Sequence, residues 1–215
     1  MSYLLDGVND YIMNTTANAA TLVDLAGSRL VTICAKVDLS ADPTASGWTF
    51  RATDFNTAAG TTAGYGFVVV TPAVAGFRVN AQANYSVTGH SFTTTADTAL
   101  GNGEHHIAAV MNLTDLPTAP TTTIYIDGAV AAHTVESVAA GNAPANMDNL
   151  SIGANYDGGS TVNGLIQEVA FWRGVNLSAA QILSLSRGFS PLCMNPLPTY
   201  YFRAGNVRLK KKIFI

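Results

Sequence analysis

The sequence predicts an all-β domain built as a sandwich or a barrel. Short runs that are apolar, or that alternate apolar with polar residues, follow one another closely, and Gly, Asn, Asp and Pro separate them. Of the 215 residues, 48% are hydrophobic and 9% are aromatic, which is enough for one large domain with a core or for two small domains. The predicted strands lie at residues 29–37, 47–53, 65–70, 76–81, 105–111, 122–126, 149–152 and 165–172.

One β-hairpin has a strong local signal. Asp127 and Gly128 lie between two strand-like runs, and an Asp-Gly pair in that position is typical of a tight hairpin turn. In the strand before the turn, Ile124 and Ile126 should share one face, with Tyr125 on the other.

The C-terminal third combines a long strand with a helix. Gly164 opens the last long strand, in which Ile166 and the residues two and four positions on are expected to point one way. Residues 178–186 predict one short helix, with Ser178 as its N-cap. Gly188 then occupies the position just after the helix, where glycine is favoured.

Composition and charge disfavour several functions. The formal net charge is −3, and the basic cluster at residues 208–212 is short, so the sequence predicts no nucleic-acid partner. No apolar run approaches the roughly 18 residues of a membrane helix, and residues 1–7 do not resemble a signal peptide. Cys34 and Cys193 follow no metal or disulfide pattern and are predicted to be reduced thiols. Because only 12% of residues are charged, the surface favours a crowded assembly over a free cytosolic protein.

The sequence shows no catalytic constellation. The three Glu residues, Glu104, Glu136 and Glu168, lack the spacing of a glucanase, whose two carboxylates flank the bond about 5–10 Å apart. His105 and His106 are neighbours on a predicted strand and should point to opposite faces, one in the core and one at the surface. We therefore predict that the protein is not an enzyme.

Five motifs follow one another along the chain, at residues 5–12 (LDGVNDYI), 103–110 (GEHHIAAV), 123–128 (TIYIDG), 150–153 (LSIG), and 164–172 (GLIQEVAFW) with 177–182 (LSAAQI). In this order they resemble the motifs of concanavalin A-like lectin/glucanase domains of the laminin-G/pentraxin type, of the kind found in bacteriophage virion proteins. The resemblance spans residues 4–188. It implies two antiparallel sheets packed face to face in a jelly roll, with a short helix after the last core strand.

Gln167 departs from the family pattern. The resemblance places an Asp here, and in calcium-binding relatives that carboxylate helps to hold the ion. Gln167 has no charge, whereas calcium prefers several oxygen ligands with carboxylates first. Gly7 could still offer a backbone carbonyl, but calcium is disfavoured at this position and no other cofactor is predicted.

Polar and aromatic residues on rim loops are the candidates for ligand binding. Sugar sites combine an aromatic platform with nearby amide or carboxylate groups. The Gly-rich loop at residues 153–163 and a second rim supply these groups, although the simpler interpretation is an ordinary polar turn in each case and a core position for Trp48. The candidates are Asn155, Tyr156, Asp157, Asn163, Trp48 and Asp54.

The chain is divided into a sandwich at residues 1–190 and an extension at residues 191–215 that contains several prolines and ends in an apolar run. An apolar tail either packs on its own domain or inserts into a neighbour. The predicted partner-docking residues are Tyr201, Phe202, Arg208, Ile213, Phe214 and Ile215.

These features predict a non-enzymatic structural or adhesive protein on the exterior of a bacteriophage virion, as a capsid decoration or fibre-associated subunit. Its expected partners are capsid or other virion proteins and cell-surface or mucin glycans, in a homo-oligomer or bound to a shell. The alternative is a free carbohydrate-binding or adhesion module, and a more distant one is a degenerate glycoside hydrolase.

Overall fold

The computed structural model describes residues 3–6, 12–14, 29–39, 47–53, 64–70, 78–86, 89–95, 100–113, 121–138, 149–154 and 162–203. Within these ranges the chain forms mostly β-strands, as predicted. The strands are β1 (Tyr3–Asp6), β2 (Ile12–Asn14), β3 (Leu30–Leu39), β4 (Gly47–Thr53), β5 (Gly64–Val70), β6 (Arg78–Ser86), β7 (Gly89–Thr95), β8 (Gly103–Asn112), β9 (Thr121–Ile126), β10 (Ala129–Val130), β11 (His133–Val138), β12 (Asn149–Ile152), β13 (Asn163–Arg173) and β14 (Tyr200–Arg203). One α-helix, α1 (Ala179–Ser186), follows β13 and confirms the helix predicted at residues 178–186.

The strands form two antiparallel sheets, each with seven strands in the described part of the chain. The first sheet has the order β1-β13-β3-β8-β9-β10, and β14 also pairs with β13. The second sheet has the order β11-β7-β6-β5-β4-β12-β2. Strands that are distant in sequence pair side by side, such as β13 with β3 and β12 with β4. This arrangement confirms the expected concanavalin A-like jelly roll.

The inner core is formed by the face of the first sheet that is turned toward the second. Alternate residues of β3 and β8 are buried there because successive side chains of a strand point to opposite faces. The second sheet contributes Val79 and Ala81 of β6 and Ile152 of β12 to the same cluster. The residues of the first sheet in this core are Val31, Ile33, Ala35, Val37, Leu39, Ile107, Ala109, Met111, Ile124, Ile166, Val169 and Phe171.

A smaller outer core lies on the opposite face of the first sheet, beneath α1. Ile182 and Leu185 of the helix are buried against this face together with Trp172, which is fully buried. The other members of this cluster are Cys34, Ala108, Tyr125, Ala170 and Leu177. Burial raises the pKa of the Cys34 thiol well above its usual range, so this cysteine is an inert part of the outer core. Both cysteines are free, as predicted.

A β-bulge in β13 overturns one prediction from the sequence. The pairing register with β3 shifts between Ile166 and Glu168, which leaves Gln167 as the extra residue. Ile166 belongs to the inner core, whereas Ala170 and Trp172 belong to the outer core. The expectation that Ile166 shares a face with the residues two and four positions on is therefore wrong, because the bulge reverses the alternation.

The predicted β-hairpin is confirmed. Asp127 and Gly128 have φ angles of 52° and 83° and join β9 to β10. Two successive positive φ angles are typical of the type I′ turn that an Asp-Gly pair favours. Ile124 and Ile126 pack on the inner core while Tyr125 packs on the outer core, also as predicted.

The two ends of the described chain meet at one edge of the first sheet. β1 pairs with residues 163–166 of β13, and β14 pairs with residues 168–171 along the same edge. In β14, Tyr200 and Phe202 pack on the inner core and Tyr201 packs on the outer core. Residues 200–203 therefore pair with their own sheet, while the division of the chain at residue 190 stays a prediction. No helix in the described ranges is long and apolar enough to cross a membrane.

Gly164 provides a test of this packing. Its φ is 152°, and a Cβ at this position would collide with the backbone oxygen of Asp38 in β3. We expect Gly164→Ala to lower the free energy of unfolding by about 2–4 kcal/mol, as measured by urea denaturation, because it combines backbone strain with a backbone collision.

The matched control is Gly101→Ala, where an added Cβ would meet nothing within 4 Å. We expect this control to change the stability by no more than about 0.5 kcal/mol. Equal effects of the two substitutions would show that the close approach of β13 and β3 is not as described.

Candidate functional site

Phe189 is positioned by the way α1 ends. The helix C-cap is Arg187, and Gly188 follows with a φ of 92°. The Gly188 N–H donates to the Leu185 carbonyl at 3.0 Å, and the Phe189 N–H donates to the Ser184 carbonyl at 3.2 Å. These two bonds form a Schellman motif, which needs the positive φ that glycine adopts easily. The predicted role of Gly188 is confirmed, and the motif fixes the backbone of Phe189 just beyond the helix.

The segment after Phe189 is tied to the first sheet and to α1. The indole Nε1 of Trp172 donates to the Pro196 carbonyl at 3.0 Å, and Nε2 of Gln181 donates to the Asn195 carbonyl at 3.0 Å. Pro191 is buried at the start of this segment, in a short 3-10 turn. The helix and this segment therefore form a continuous rim above the outer face of the sheet, and β14 borders this rim at the sheet edge.

A groove of about 200 Å³ lies between this rim and the outer face of the sheet. Lys36 of β3, His106 of β8 and Glu168 of β13 contribute to its lining. Phe189 lines it near the helix end, and Arg203 of β14 lines it at the sheet edge. The volume is below the roughly 300–1,000 Å³ of sites for drug-sized molecules, so the groove suits one small unit of a larger ligand.

The charged side chains of the groove are paired. Nζ of Lys36 lies 2.8 Å from Oε1 of Glu104, and Nε2 of Gln167 donates to Oε2 of the same carboxylate at 2.8 Å. Nε of Arg203 lies 3.2 Å from Oε1 of Glu168. The hydrogen bond from Lys36, followed by that from Gln167, holds the pKa of Glu104 below its usual value. Glu104 is therefore a fixed anion near neutral pH and not a proton donor.

His106 is neutral on the floor of the groove. Only 8% of the residue is exposed, and burial lowers its pKa to about 4, although the negative charge of Asp127 partly opposes this shift. Within the described ranges, its Nδ1 atom has no hydrogen-bond partner. His106 therefore contributes no positive charge to the groove floor, and its unpartnered Nδ1 atom lies below the accessible surface.

The neighbouring histidine has a structural partner. Nδ1 of His105 lies 2.8 Å from Oδ2 of Asp127, whose Oδ1 accepts a bond from the His106 N–H at 2.9 Å. His105 lies opposite Val37 and His106 opposite Lys36, which confirms that the two histidines face opposite sides. His106 is the buried histidine of the pair, whereas His105 keeps 18% of its side chain exposed beside Asp127.

Phe189 gives the groove an aromatic wall that is open to solvent. The residue is 60% exposed although it lines the groove, whereas Leu185 and Pro191 beside it are buried. Among the large hydrophobic residues exposed in the described ranges, Phe189 is the aromatic one. An exposed aromatic ring beside polar groups is typical of a binding surface that is apolar on one side and wet on the other.

The residues at the family's calcium position do not fit a calcium ion. Gln167 offers no charge, and both oxygens of Glu104, the carboxylate that it contacts, are engaged by Lys36 and Gln167. In the described part of the chain, no group of three His, Cys, Asp or Glu side chains could hold a metal. Calcium needs several free oxygen ligands, and this network does not supply them.

Two of the rim-loop candidates lie in strands whose backbone the structure describes. Trp48 lies in β4 and Asn163 is the first residue of β13. Tyr201 and Phe202 lie in β14 and pack on their own chain, where they are half-buried. The remaining candidates lie outside the described residues, so their roles stay predictions. They are Asn155, Tyr156, Asp157, Asp54, Arg208, Ile213, Phe214 and Ile215.

The sequence analysis did not predict a ligand-binding site at the groove residues. Phe189 carries a usable signal, because a glycine at the end of a predicted helix fixes the residue that follows it. Lys36, Glu168 and Arg203 carry none, because pairing between β3, β13 and β14 brings them together from distant parts of the chain. The bulge at Gln167 also hides the face on which Glu168 lies.

The protein is thus a two-sheet jelly roll with a polar groove on the outer face of its first sheet. A profile of the concanavalin A-like lectin/glucanases superfamily matches residues 6–183, and the chain therefore belongs to this superfamily. No curated protein matches the chain in sequence.

Solved structures of this superfamily's fold superpose on the chain. The Ruminococcus gnavus IT-sialidase CBM40 bound to alpha2,3 sialyllactose aligns with a TM-score of 0.63 and 11% identity, over 86% of this chain and 96% of that chain. A heptameric SAP-like pentraxin from Limulus polyphemus aligns with a TM-score of 0.54 and 14% identity, over 75% and 71%. The binding domain of botulinum neurotoxin serotype G aligns with a TM-score of 0.55 and 11% identity, over 86% and 46%. At these identities the likeness establishes the shared fold.

The buried His106 predicts a pH dependence of stability. Its folded pKa of about 4 lies below the ordinary value of 6.5, so between these values the unfolded chain binds the extra proton. The neutral His106 side chain therefore favours the folded state in full above about pH 6.5, and this stabilisation is lost as the pH falls to about 4. One pKa unit corresponds to about 1.4 kcal/mol, so we expect a loss of about 3 kcal/mol across this range.

The measurement is urea unfolding at several pH values for the protein and for His106→Leu. This variant should lose most of the slope between pH 6.5 and 4. The control is His133→Gln in β11, which leaves His106 in place and should keep the slope. An unchanged slope in His106→Leu would mean that His106 is not held neutral.

Proposed function

We propose that the protein is a non-enzymatic carbohydrate-binding module that holds a sugar residue in the groove on the outer face of the first sheet. The observation that carries this proposal is the exposed ring of Phe189 beside hydrogen-bonding side chains of the floor. A sugar ring presents C–H groups on its face and hydroxyls around its edge. It therefore needs an aromatic wall together with several hydrogen-bonding groups, as this groove provides.

The carboxylates in and beside the groove support binding over hydrolysis. A glycosidase needs one protonated carboxyl group as the acid, usually with a raised pKa. The pKa of Glu104 is instead lowered by Lys36, and Glu168 is paired with Arg203. Neither group is arranged to donate a proton to a glycosidic oxygen.

The similar structures add support from their own ligands. One of them is the CBM40 of an IT-sialidase in complex with sialyllactose, and another is the binding domain of a neurotoxin. Their fold, shared with this chain, therefore accommodates a saccharide in at least one case. The proposal extends saccharide binding to this chain, at a site defined by its own residues.

Substitution of Phe189 tests the site. Phe189→Ala removes the aromatic wall from an exposed position, so it should lower the affinity for a bound glycan at least about tenfold with little loss of stability. Phe189→Trp should keep binding. The measurement is a glycan array to find the ligand, followed by calorimetric titration of each variant.

Two further variants serve as comparators. Leu197→Ala removes an equally exposed apolar side chain and should leave the affinity unchanged. Tyr156→Ala tests the loop candidate. A loss of binding in Tyr156→Ala, with full binding in Phe189→Ala, would move the sugar site from the groove to the loop at residues 153–163.

A structural role on the exterior of a bacteriophage particle is the second candidate. It is favoured by the low charge of the chain and by its apolar C-terminal residues 213–215. β14 ends at Arg203 on the sheet edge, and residues 204–215 follow it. An apolar tail that follows an edge strand could pair with a capsid protein by adding to its sheet or filling an apolar cleft.

Truncation tests this second candidate. Removal of residues 206–215 leaves β14 intact, so the sandwich should remain folded while incorporation into particles is lost. The measurement is co-sedimentation of the protein with purified particles, with circular dichroism as the folding control. Full incorporation of the truncated chain would contradict docking through the tail.

A further inference from the structure

We infer that the groove selects an uncharged sugar residue and discriminates against residues that carry a carboxylate or a sulfate. This inference rests on the proposed function, and it names the ligand class that the same site would accept. It is drawn from the charge pairing and the unused hydrogen-bonding atoms of the groove.

Both cations of the groove are already neutralised by carboxylates. Lys36 is paired with Glu104 at 2.8 Å, and Arg203 is paired with Glu168 at 3.2 Å. An acidic ligand that approached either cation would place its own charge beside one of these carboxylates. Like charges at such short range oppose binding, so the groove has no net attraction for an anion.

The unused atoms on the groove floor are hydrogen-bond acceptors. Gln167 uses its Nε2 atom on Glu104, and Glu168 uses its Oε1 atom on Arg203 and on the Tyr201 hydroxyl at 3.3 Å. In the described part of the chain, this leaves Oε1 of Gln167 and Oε2 of Glu168 without a protein partner. Both atoms can only accept hydrogen bonds, so they suit the O–H groups of a sugar and oppose carboxylate or sulfate oxygens.

His106 lines the groove without adding a positive charge. The residue is more than nine-tenths buried, and burial lowers its pKa to about 4, so the imidazole is neutral near neutral pH. A neutral ring offers no opposite charge to a carboxylate or a sulfate, whereas a sugar hydroxyl needs none.

The bulge in β13 determines which side chain lies beside Lys36 in the groove. Gln167 is the extra residue of β13, and Glu168 follows it on the outer face, opposite Lys36 of β3. Without the bulge, the residue beside Lys36 would be Gln167, and Glu168 would point toward the inner core. The local shift therefore supplies the carboxylate that balances Arg203 and accepts a ligand hydroxyl.

Matched glycans test the inference. The probes are pairs of array glycans that differ only in a terminal sialic acid or a sulfate, measured with the full chain. We expect the uncharged member of each pair to bind at least tenfold more tightly than the acidic one.

Removal of the carboxylate that pairs with Lys36 should relax this selection. In Glu104→Gln the charge of Lys36 is no longer balanced, so the affinity for acidic glycans should rise about fivefold or more. The control is Glu136→Gln in β11 of the second sheet, which changes the net charge equally and should leave the preference intact. Salt titration separates the two effects, because the gain in Glu104→Gln should shrink as the salt concentration rises.

The outcomes separate the inference from the proposed function. Tighter binding of the acidic members by the unmodified chain would overturn the inference and leave carbohydrate binding established. Binding of uncharged glycans with no effect of Phe189→Ala would overturn both the groove assignment and the inference. No binding of any glycan would overturn the proposed function itself.

Discussion

The single extra residue in β13 determines how the molecule uses its first sheet. Up to the bulge, β13 is in register with β3, and the side chain of Ile166 points into the inner core. After Gln167, the positions whose side chains point inward and outward are exchanged. Glu168, Ala170 and Trp172 consequently lie on the outer side, where Ala170 and Trp172 form a floor for α1. One strand thus contributes to the inter-sheet core, to the outer core and to the groove, and each of these depends on the bulge.

The groove is built from elements that hold one another in place. Thr32 in β3 donates its hydroxyl to the Val175 carbonyl at 2.9 Å and accepts the Leu177 N–H at 3.1 Å, which fixes the chain before α1. Ser178 and Gln181 cap the start of the helix, and the Gly188 motif ends it. The floor side chains come from a fully paired sheet. A binding surface on such rigid elements loses little conformational entropy when it takes a ligand.

The sequence predicted the fold better than the site. Strand periodicity, the Asp127-Gly128 turn and the Ser178 cap are local signals, and each is confirmed because neighbouring residues decide the local structure. The bulge at Gln167 has no such signal, since it depends on the pairing of β13 with two partners. The groove joins residues of β3, β8, β13 and β14 that are up to 169 positions apart, from Cys34 to Arg203. The sequence predicted ligand binding at the rim loops because polar residues lie close together there in sequence, whereas the groove residues lie close together only in the folded structure.

The central claim is that a sugar residue occupies the outer-face groove and stacks on Phe189. The most direct measurement is a crystal structure of the full chain with a saturating oligosaccharide selected from the array. The account predicts one sugar ring against Phe189, with hydroxyls within hydrogen-bond distance of Gln167 and Glu168. An ordered oligosaccharide bound elsewhere on the sandwich, with the groove filled only by water, would contradict it.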